Sequence, residues 1–165
     1  MSHHQGDKGE VLAFAIITVS DSRGRADDVS GDALAARVAA AHHRLVRRDL
    51  VRDEAPAIVA ALEAALAAGA RLVLVTGGTG LAARDVTPDA LLPRFERAIP
   101  GFGELFRQLS YQDIGAKALL SRAEAGVVGE AVVFLLPGST NACILAVEKL
   151  ILPVAGHLVG LTERA

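Results

Sequence analysis

The sequence predicts an α/β domain of three layers, with helices on both faces of a mostly parallel sheet and an antiparallel strand or hairpin added near the C-terminus. Three observations lead there. The apolar run at residues 11–19 is continuous and rich in β-branched residues, as a strand buried on both faces is, and residues 71–75 read as another buried strand. Between and after them, apolar residues recur at helical spacing, so the chain reads β-α-β-α-β; crossovers of helical length join parallel strands in the right-handed sense. Finally, residues 122–128 and 131–136 flank Gly129-Glu130, which predicts a hairpin.

Each element has a local reason. Residues 1–10 form a polar run with His3 and His4 and are predicted to be a disordered leader, followed by a single domain over 11–165. The first strand closes at Ser20-Asp21-Ser22. Ser30 is expected to cap a helix over 31–41, in which Leu34, Val38 and Ala41 share a face. After His42-His43, basic Arg44, Arg47 and Arg48 interleave with Leu45, Val46 and Leu50, which predicts a second strand with a solvated basic face. The next helix, over 55–68, carries Ile58, Leu62 and Leu66 on one stripe and ends at Gly69, a suitable left-handed C-cap. Beyond residue 80, Thr87-Pro88-Asp89 reads as cap, N1 proline and acidic first turn. A helix is expected from 101 or 102 to 111, and a last one opens at 139–141, passes Leu150 and breaks at Pro153.

Composition excludes several function classes. The 165 residues are 52% hydrophobic, enough for one core, and the excess of aliphatics hints at self-association. Five Phe, one Tyr and no Trp leave few rings for stacking bases, and a net charge of -2 offers no attraction to a long phosphate backbone, so no nucleic-acid partner is expected. A lone Cys143 makes no internal disulfide and reads as a small buried residue. The run at 11–19 is too short to span a bilayer, and Asp7 and Glu10 beside Lys8 do not make a signal n-region. The apolar C-terminal third is interrupted by Pro137, Gly138, Asn141, Glu148 and Lys149. A cytoplasmic chain without membrane contact is expected.

Chemistry is expected at strand ends, because open parallel sheets bind ligands at the carboxyl edge where strand order reverses. Thr76-Gly77-Gly78-Thr79-Gly80 follows a buried strand directly, and its glycines expose backbone N–H groups suited to phosphate oxygens. It is neither a Walker A loop nor the dinucleotide fingerprint. Arg84-Asp85-Val86-Thr87-Pro88-Asp89 comes within ten residues. Asp85 precedes the helix start, so it either pairs locally with Arg84 or the turn, or faces the glycine loop, where a carboxylate beside a phosphate calls for Mg²⁺ between them. Asp21 and Asp53 close the first two strands and approach the same edge; Asp53 serves equally as the N-cap of the following helix. A second anion loop, Leu136-Pro137-Gly138-Ser139-Thr140-Asn141, opens a helix. Two such loops suggest a ligand phosphorylated at more than one point.

Six segments in order carry a resemblance: Thr18-Val19-Ser20-Asp21, the Thr-Gly-Gly-Thr-Gly loop, Arg84-Asp85-Val86-Thr87-Pro88, Ile99-Pro100-Gly101-Phe102-Gly103-Glu104, Leu120-Ser121-Arg122 and Leu136-Pro137-Gly138-Ser139. Together they resemble the MoaB/Mog family of molybdenum cofactor biosynthesis proteins over residues 11–160, and the fourth segment with Leu105-Phe106-Arg107-Gln108-Leu109-Ser110 is closer to the MoaB-like branch. The resemblance implies a molybdopterin-binding domain that, in active members, adenylylates molybdopterin with ATP and Mg²⁺ and releases pyrophosphate. It implies Asp53 and Asp85 as the essential acidic pair that holds Mg²⁺. It implies Ser20, Asp21, Thr76, Gly77, Gly78, Thr79, Gly80, Ser121, Pro137, Gly138, Ser139 and Asn141 as ligand-binding positions. A homotrimer or a hexamer of trimers, acting with other proteins of the pathway, is implied as well. Two alternatives stand beside it: a non-catalytic pterin-binding or assembly protein, and a nucleotide-binding protein of an unrelated pathway. One departure is Thr140, where relatives often carry Pro.

Overall fold

The computed structural model describes residues 9–163. The leader through residue 8, with its His3-His4 pair, lies outside them. In chain order the elements are β1 (Ala13–Val19), α1 (Val29–Ala40), β2 (Arg44–Val51), α2 (Ala55–Ala67), β3 (Leu72–Thr76), α3 (Thr87–Leu91), β4 (Arg97–Ala98), α4 (Pro100–Ile114), β5 (Glu124–Val128), β6 (Ala131–Leu136), α5 (Thr140–Ala146) and α6 (Ala155–Thr162). The six strands form one sheet in the order β2-β1-β3-β6-β5-β4. The pairs β1–β2, β1–β3 and β3–β6 are parallel, whereas β5 runs antiparallel to both β6 and β4. The mostly parallel α/β sheet with a C-terminal hairpin is therefore present.

Alternation along the central strands builds two cores. Phe14, Ile16, Leu72, Leu74, Phe134 and Leu136 face one side and bury Leu34, Val38, Phe102, Phe106, Cys143 and Val147 from the helices. Ala15, Ile17, Val73, Val75 and Leu135 face the other, against Ile58, Leu62, Ala65 and Leu91. Each fully buried Leu, Ile or Phe contributes about 1.5–3 kcal/mol relative to exposure, which is why continuous apolar strands sit at the sheet centre. Fixing β1 and β3 side by side also fixes the carboxyl edge on which the loops meet.

Several local expectations are corrected. The N-cap of α1 is Asp28, whose side chain accepts from the Gly31 amide at 3.0 Å. Ser30 lies inside the helix, and its hydroxyl donates instead to the Gly138 carbonyl at 2.8 Å. Thr87 is the first residue of α3, and its hydroxyl donates to the Gly77 carbonyl at 2.9 Å, so it ties helix to glycine loop and caps nothing. The helix expected at 101–111 runs from Pro100 to Ile114. β4 has only two residues, both exposed, and carries no pattern that periodicity detects. The C-terminal run Thr140–Thr162 is long and apolar enough, by composition, to cross a membrane. It is continuous through Pro153, held together by a π-turn at Val147–Ile151 and a 3₁₀ turn at Leu152–Val154. Its Cys143, Ala146, Val147, Ile151, Ala155 and Val159 belong to the first core.

One core contact is pH-dependent. The His43 ring stacks on Phe14 with centroids 5.3 Å apart, and its Nδ1 accepts from the Leu12 amide at 3.3 Å, a bond that requires an unprotonated Nδ1. Burial, then the neighbouring His42, lowers the His43 pKa below 6.5. A base with a depressed native pKa is protonated more readily in the unfolded chain. Its contribution is therefore whole above pH 6.5 and is lost as pH falls below that value. Denaturant unfolding at pH 7.5 and pH 5 is expected to show a loss of about 1 kcal/mol, the size of one hydrogen bond, that His43→Asn does not show.

Candidate functional site

Strand order reverses between β1 and β3, since β2 lies on one side of β1 and all later strands lie on the other. At the carboxyl ends of these two strands is a cavity of about 210 Å³. The β1 end contributes Thr18 to Arg23, the β2 end Asp53, the β3 end Thr76 to Gly78, and the following loops Arg84, Asp85 and Gly138. Of the predicted residues, Ser20, Asp21, Asp53, Thr76, Gly77, Gly78, Asp85 and Gly138 are thus brought together. Arg23 and Arg84 add two cations to the lining; Arg84 belongs to the motif read in the sequence, whereas Arg23 was signalled only by lying beside motif residues.

The glycine loop is shaped by contact. Gly77 has φ 101° and Gly78 has φ 66°, both in the region that side chains disfavour. A Cβ on Gly77 would stand 2.2 Å from the Val19 carbonyl oxygen, and one on Gly78 would stand 2.3 Å from Thr87 Oγ1 and 2.6 Å from Asp53 Oδ1. The loop therefore lies flush against the β1 end and against Asp53. The Gly77 amide donates to the Leu136 carbonyl at 3.0 Å, so it is not available as a donor to a ligand.

The carboxylates are held differently from one another. Asp21 Oδ1 accepts from the Asp53 amide at 2.9 Å, joining the β1 and β2 ends. Asp53 does not cap α2, because the cap position is Glu54 and no side chain bonds there. Its Oδ1 is buried without a hydrogen-bond partner, the one such side-chain atom among the described residues. Burial pushes the Asp53 carboxyl above its usual range, Asp21 and Asp85 add to the rise, and the Val86 amide and Arg84 oppose it. Asp85 closes a turn, with Oδ2 accepting from the Ala82 amide at 3.1 Å, and also lines the cavity; it forms no ion pair with Arg84.

The other predicted positions fall elsewhere. Thr79 is buried within the loop and does not line the cavity. Ser121 Oγ accepts from the Ala123 amide at 3.3 Å. The Pro137 carbonyl accepts from Thr76 Oγ1 at 2.8 Å and from Cys143 Sγ at 3.3 Å, which pins the second loop to the end of β3. Burial pushes the Cys143 thiol up to about 11, so it stays a neutral packing group. Ser139 and Asn141 line a second cavity of about 320 Å³ with Ser110, Asp113 and Ile114 of α4 and Ala142 and Leu145 of α5. Ser110 closes the segment that resembles the MoaB-like branch but carried no site signal, and Asp113 carried none at all, since only the packing of α4 on α5 brings them there. Thr140, the departure noted above, places Oγ1 3.1 Å from Ser30 Oγ. Its hydroxyl thus ties the loop to α1.

A family model described as a probable molybdopterin binding domain matches residues 15–157. The chain belongs to this family. Within it, the chain is 46% identical to molybdenum cofactor biosynthesis protein B of Escherichia coli K12 over 141 residues, covering 85% of this chain and 83% of that protein. It is 40% identical to the protein of the same name from Bacillus subtilis over 161 residues, covering 96% and 95%. Among solved structures it is similar to a molybdenum cofactor biosynthesis protein B at TM-score 0.91 and 40% identity, covering 94% of this chain and 98% of that one. A tungsten cofactor synthesizing protein MoaB from Pyrococcus furiosus matches at TM-score 0.87 and 34% identity, covering 94% and 99%. The MoaB-like character expected from residues 99–110 agrees with these relatives.

Proposed function

We propose that this molybdopterin-binding-domain protein acts in the cytoplasm in molybdenum cofactor biosynthesis and transfers the adenylyl group of ATP to molybdopterin, releasing pyrophosphate. The observation that carries this reading is the orphaned Asp53 Oδ1, a buried hard oxygen of a residue that lines one cavity together with Asp85, two arginines and a glycine loop. Leaving a buried carboxylate oxygen unpartnered costs about 1–3 kcal/mol, and a cation at that point offsets the cost.

The donor set fits Mg²⁺, which takes oxygen ligands and commonly uses one or two carboxylates with phosphates and water. Among the described residues no three or more metal-binding side chains cluster closely enough to hold an ion by themselves. A protein pair, Asp53 and Asp85, completed by substrate phosphates agrees with that. When bound, the ion would supply neutralisation of charge on the transferring phosphate. The chain's own groups position the reactants. Gly78 lines the cavity next to Asp53, Ser20 shapes the β1 turn by accepting from the Ser22 and Arg23 amides, and Arg23 and Arg84 oppose the phosphate charge. Attack by the terminal phosphate of molybdopterin on the α-phosphate of ATP needs no protein nucleophile. The pterin end would occupy the second cavity, where Ser110, Asp113, Ser139 and Asn141 offer hydrogen-bonding groups.

Exposed Leu105, Tyr111 and Ile114 on α4, with Leu119 and Leu120 just beyond, support self-association as a homotrimer or a hexamer of trimers. Replacing Asp85 by Asn separates an enzyme from a pterin carrier. Turnover is expected to fall about 100-fold while molybdopterin affinity, read by direct titration, moves less than about threefold. A variant that retains full turnover would overturn the assignment of Asp85.

A further inference from the structure

Arg122 lies outside the cavity that holds the carboxylates, yet it contacts the segment that presents one of them at several points. Its Nε donates to the Gly80 carbonyl at 3.0 Å, its Nη2 to the Asp85 carbonyl, and its Nη1 to the Asp89 carboxylate at 3.0 Å. Its backbone amide donates to the Thr79 carbonyl at 3.1 Å. One residue, placed just before β5, therefore grips both the start and the end of the segment from Thr79 to Asp89. Within the segment, the Ala82 amide donates to Asp85 Oδ2 and the Asp85 amide to the Ala82 carbonyl, closing a turn, while Val86 and Thr87 tie its far end to Asp53 and to the Gly77 and Gly78 carbonyls. Within that turn the Asp85 carboxylate folds back over Gly80, where a Cβ would stand 2.7 Å from Oδ2.

The chemistry of the side chain suits this task. A guanidinium presents five N–H donors in a rigid planar fork and serves three separate acceptors at once, whereas a Lys ammonium is a compact point charge on a flexible stem. Two of the three acceptors are backbone carbonyls, so the clamp sets the path of the main chain rather than pairing a surface charge.

We propose that Arg122 is a positioning residue for the phosphate-side metal centre: by clamping Gly80, Asp85 and Asp89 it sets where the Asp85 carboxylate stands relative to Asp53, while touching neither carboxylate itself. The proposal rests on the reading of Asp53 and Asp85 as the Mg²⁺ pair, and it predicts an effect on metal-assisted nucleotide binding in particular.

The test compares the affinity of the full chain for ATP in EDTA with its affinity for ATP in saturating Mn²⁺, by calorimetry, for wild type and Arg122→Met. Outer groups that orient metal ligands typically change metal affinity 10- to 100-fold when removed. In Arg122→Met the gain in ATP affinity conferred by Mn²⁺ is expected to fall about tenfold, with affinity in EDTA within about twofold of wild type. Equal losses with and without Mn²⁺ would reduce Arg122 to a merely structural role and overturn the proposal, as would an undiminished Mn²⁺ gain. If wild type itself shows no Mn²⁺ gain, the metal reading of the Asp pair fails and the proposal fails with it. Should Arg122→Met not fold, Arg122→Lys carries the same test, since one ammonium cannot replace three directed bonds; its Mn²⁺ gain is expected to drop at least about threefold.

Discussion

Asp53→Asn is expected to abolish adenylyl transfer and at the same time to make the protein harder to unfold. Both effects arise from the same atom. Oδ1 is buried without a partner beside Gly78, and the Asp21 and Asp85 carboxylates raise the cost of its charge. An amide of the same shape removes the charge and the repulsion. Recovering part of the cost of a buried unsatisfied group gives about 1 kcal/mol, or roughly 2–4 °C in unfolding midpoint for a chain of this size. The pH dependence has a definite sign. A carboxyl whose native pKa is raised favours the folded state when protonated, so wild type loses this contribution as pH rises through the raised value. The gap in stability between Asp53→Asn and wild type is therefore largest at neutral pH and closes as pH falls toward 3.8 and below. Turnover is expected to drop about 10²–10³-fold. A variant that is both less stable and inactive would show instead that Asp53 serves the fold.

Gly77→Ala is expected to give the largest loss of stability of any single methyl added to the site. The backbone there has φ 101°, and the new Cβ would meet the Val19 carbonyl oxygen at 2.2 Å, a main-chain atom held in the parallel pairing of β1 with its neighbours. A disfavoured φ costs about 1–3 kcal/mol, and overpacking costs about 1–3 kcal/mol more. The expected total is about 3–5 kcal/mol, seen as a large fall in denaturation midpoint. Gly69→Ala is the internal control. Gly69 also has a positive φ, 84°, but open space surrounds the position of its Cβ. There only the conformational cost applies, about 1 kcal/mol. Equal losses at the two positions would contradict the close packing of the glycine loop on β1.

The parts of the fold legible in the sequence are those set by burial on both sides of the sheet. β1 and β3 are apolar up to the threonines near their carboxyl ends, and the helices between them have no other way to hide their apolar stripes, so parallel pairing followed. The carboxyl-edge convergence of Asp21, Asp53 and Asp85 followed from that pairing alone. Capping was less legible, because a cap depends on which neighbour the side chain finds. Ser30 and Thr87 look like caps in sequence, yet each hydroxyl serves a carbonyl of a distant loop, Gly138 and Gly77. β5 was read from its hairpin with β6, and its small residues make room for others: a Cβ on Gly126 would lie 2.2 Å from the Phe95 ring. The place of Ser110 and Asp113 on the second cavity was not legible, because it comes from helix packing and not from any local motif.

Under the proposed function these loops and carboxylates perform a transfer and do not merely hold a pterin. The measurement that tests it most directly is incubation of the protein with molybdopterin, ATP and Mg²⁺, following adenylylated molybdopterin by chromatography and pyrophosphate by a coupled assay. Both products are expected in equal amounts, dependent on Mg²⁺. Folded protein that binds molybdopterin and releases no pyrophosphate above the background without protein would contradict it.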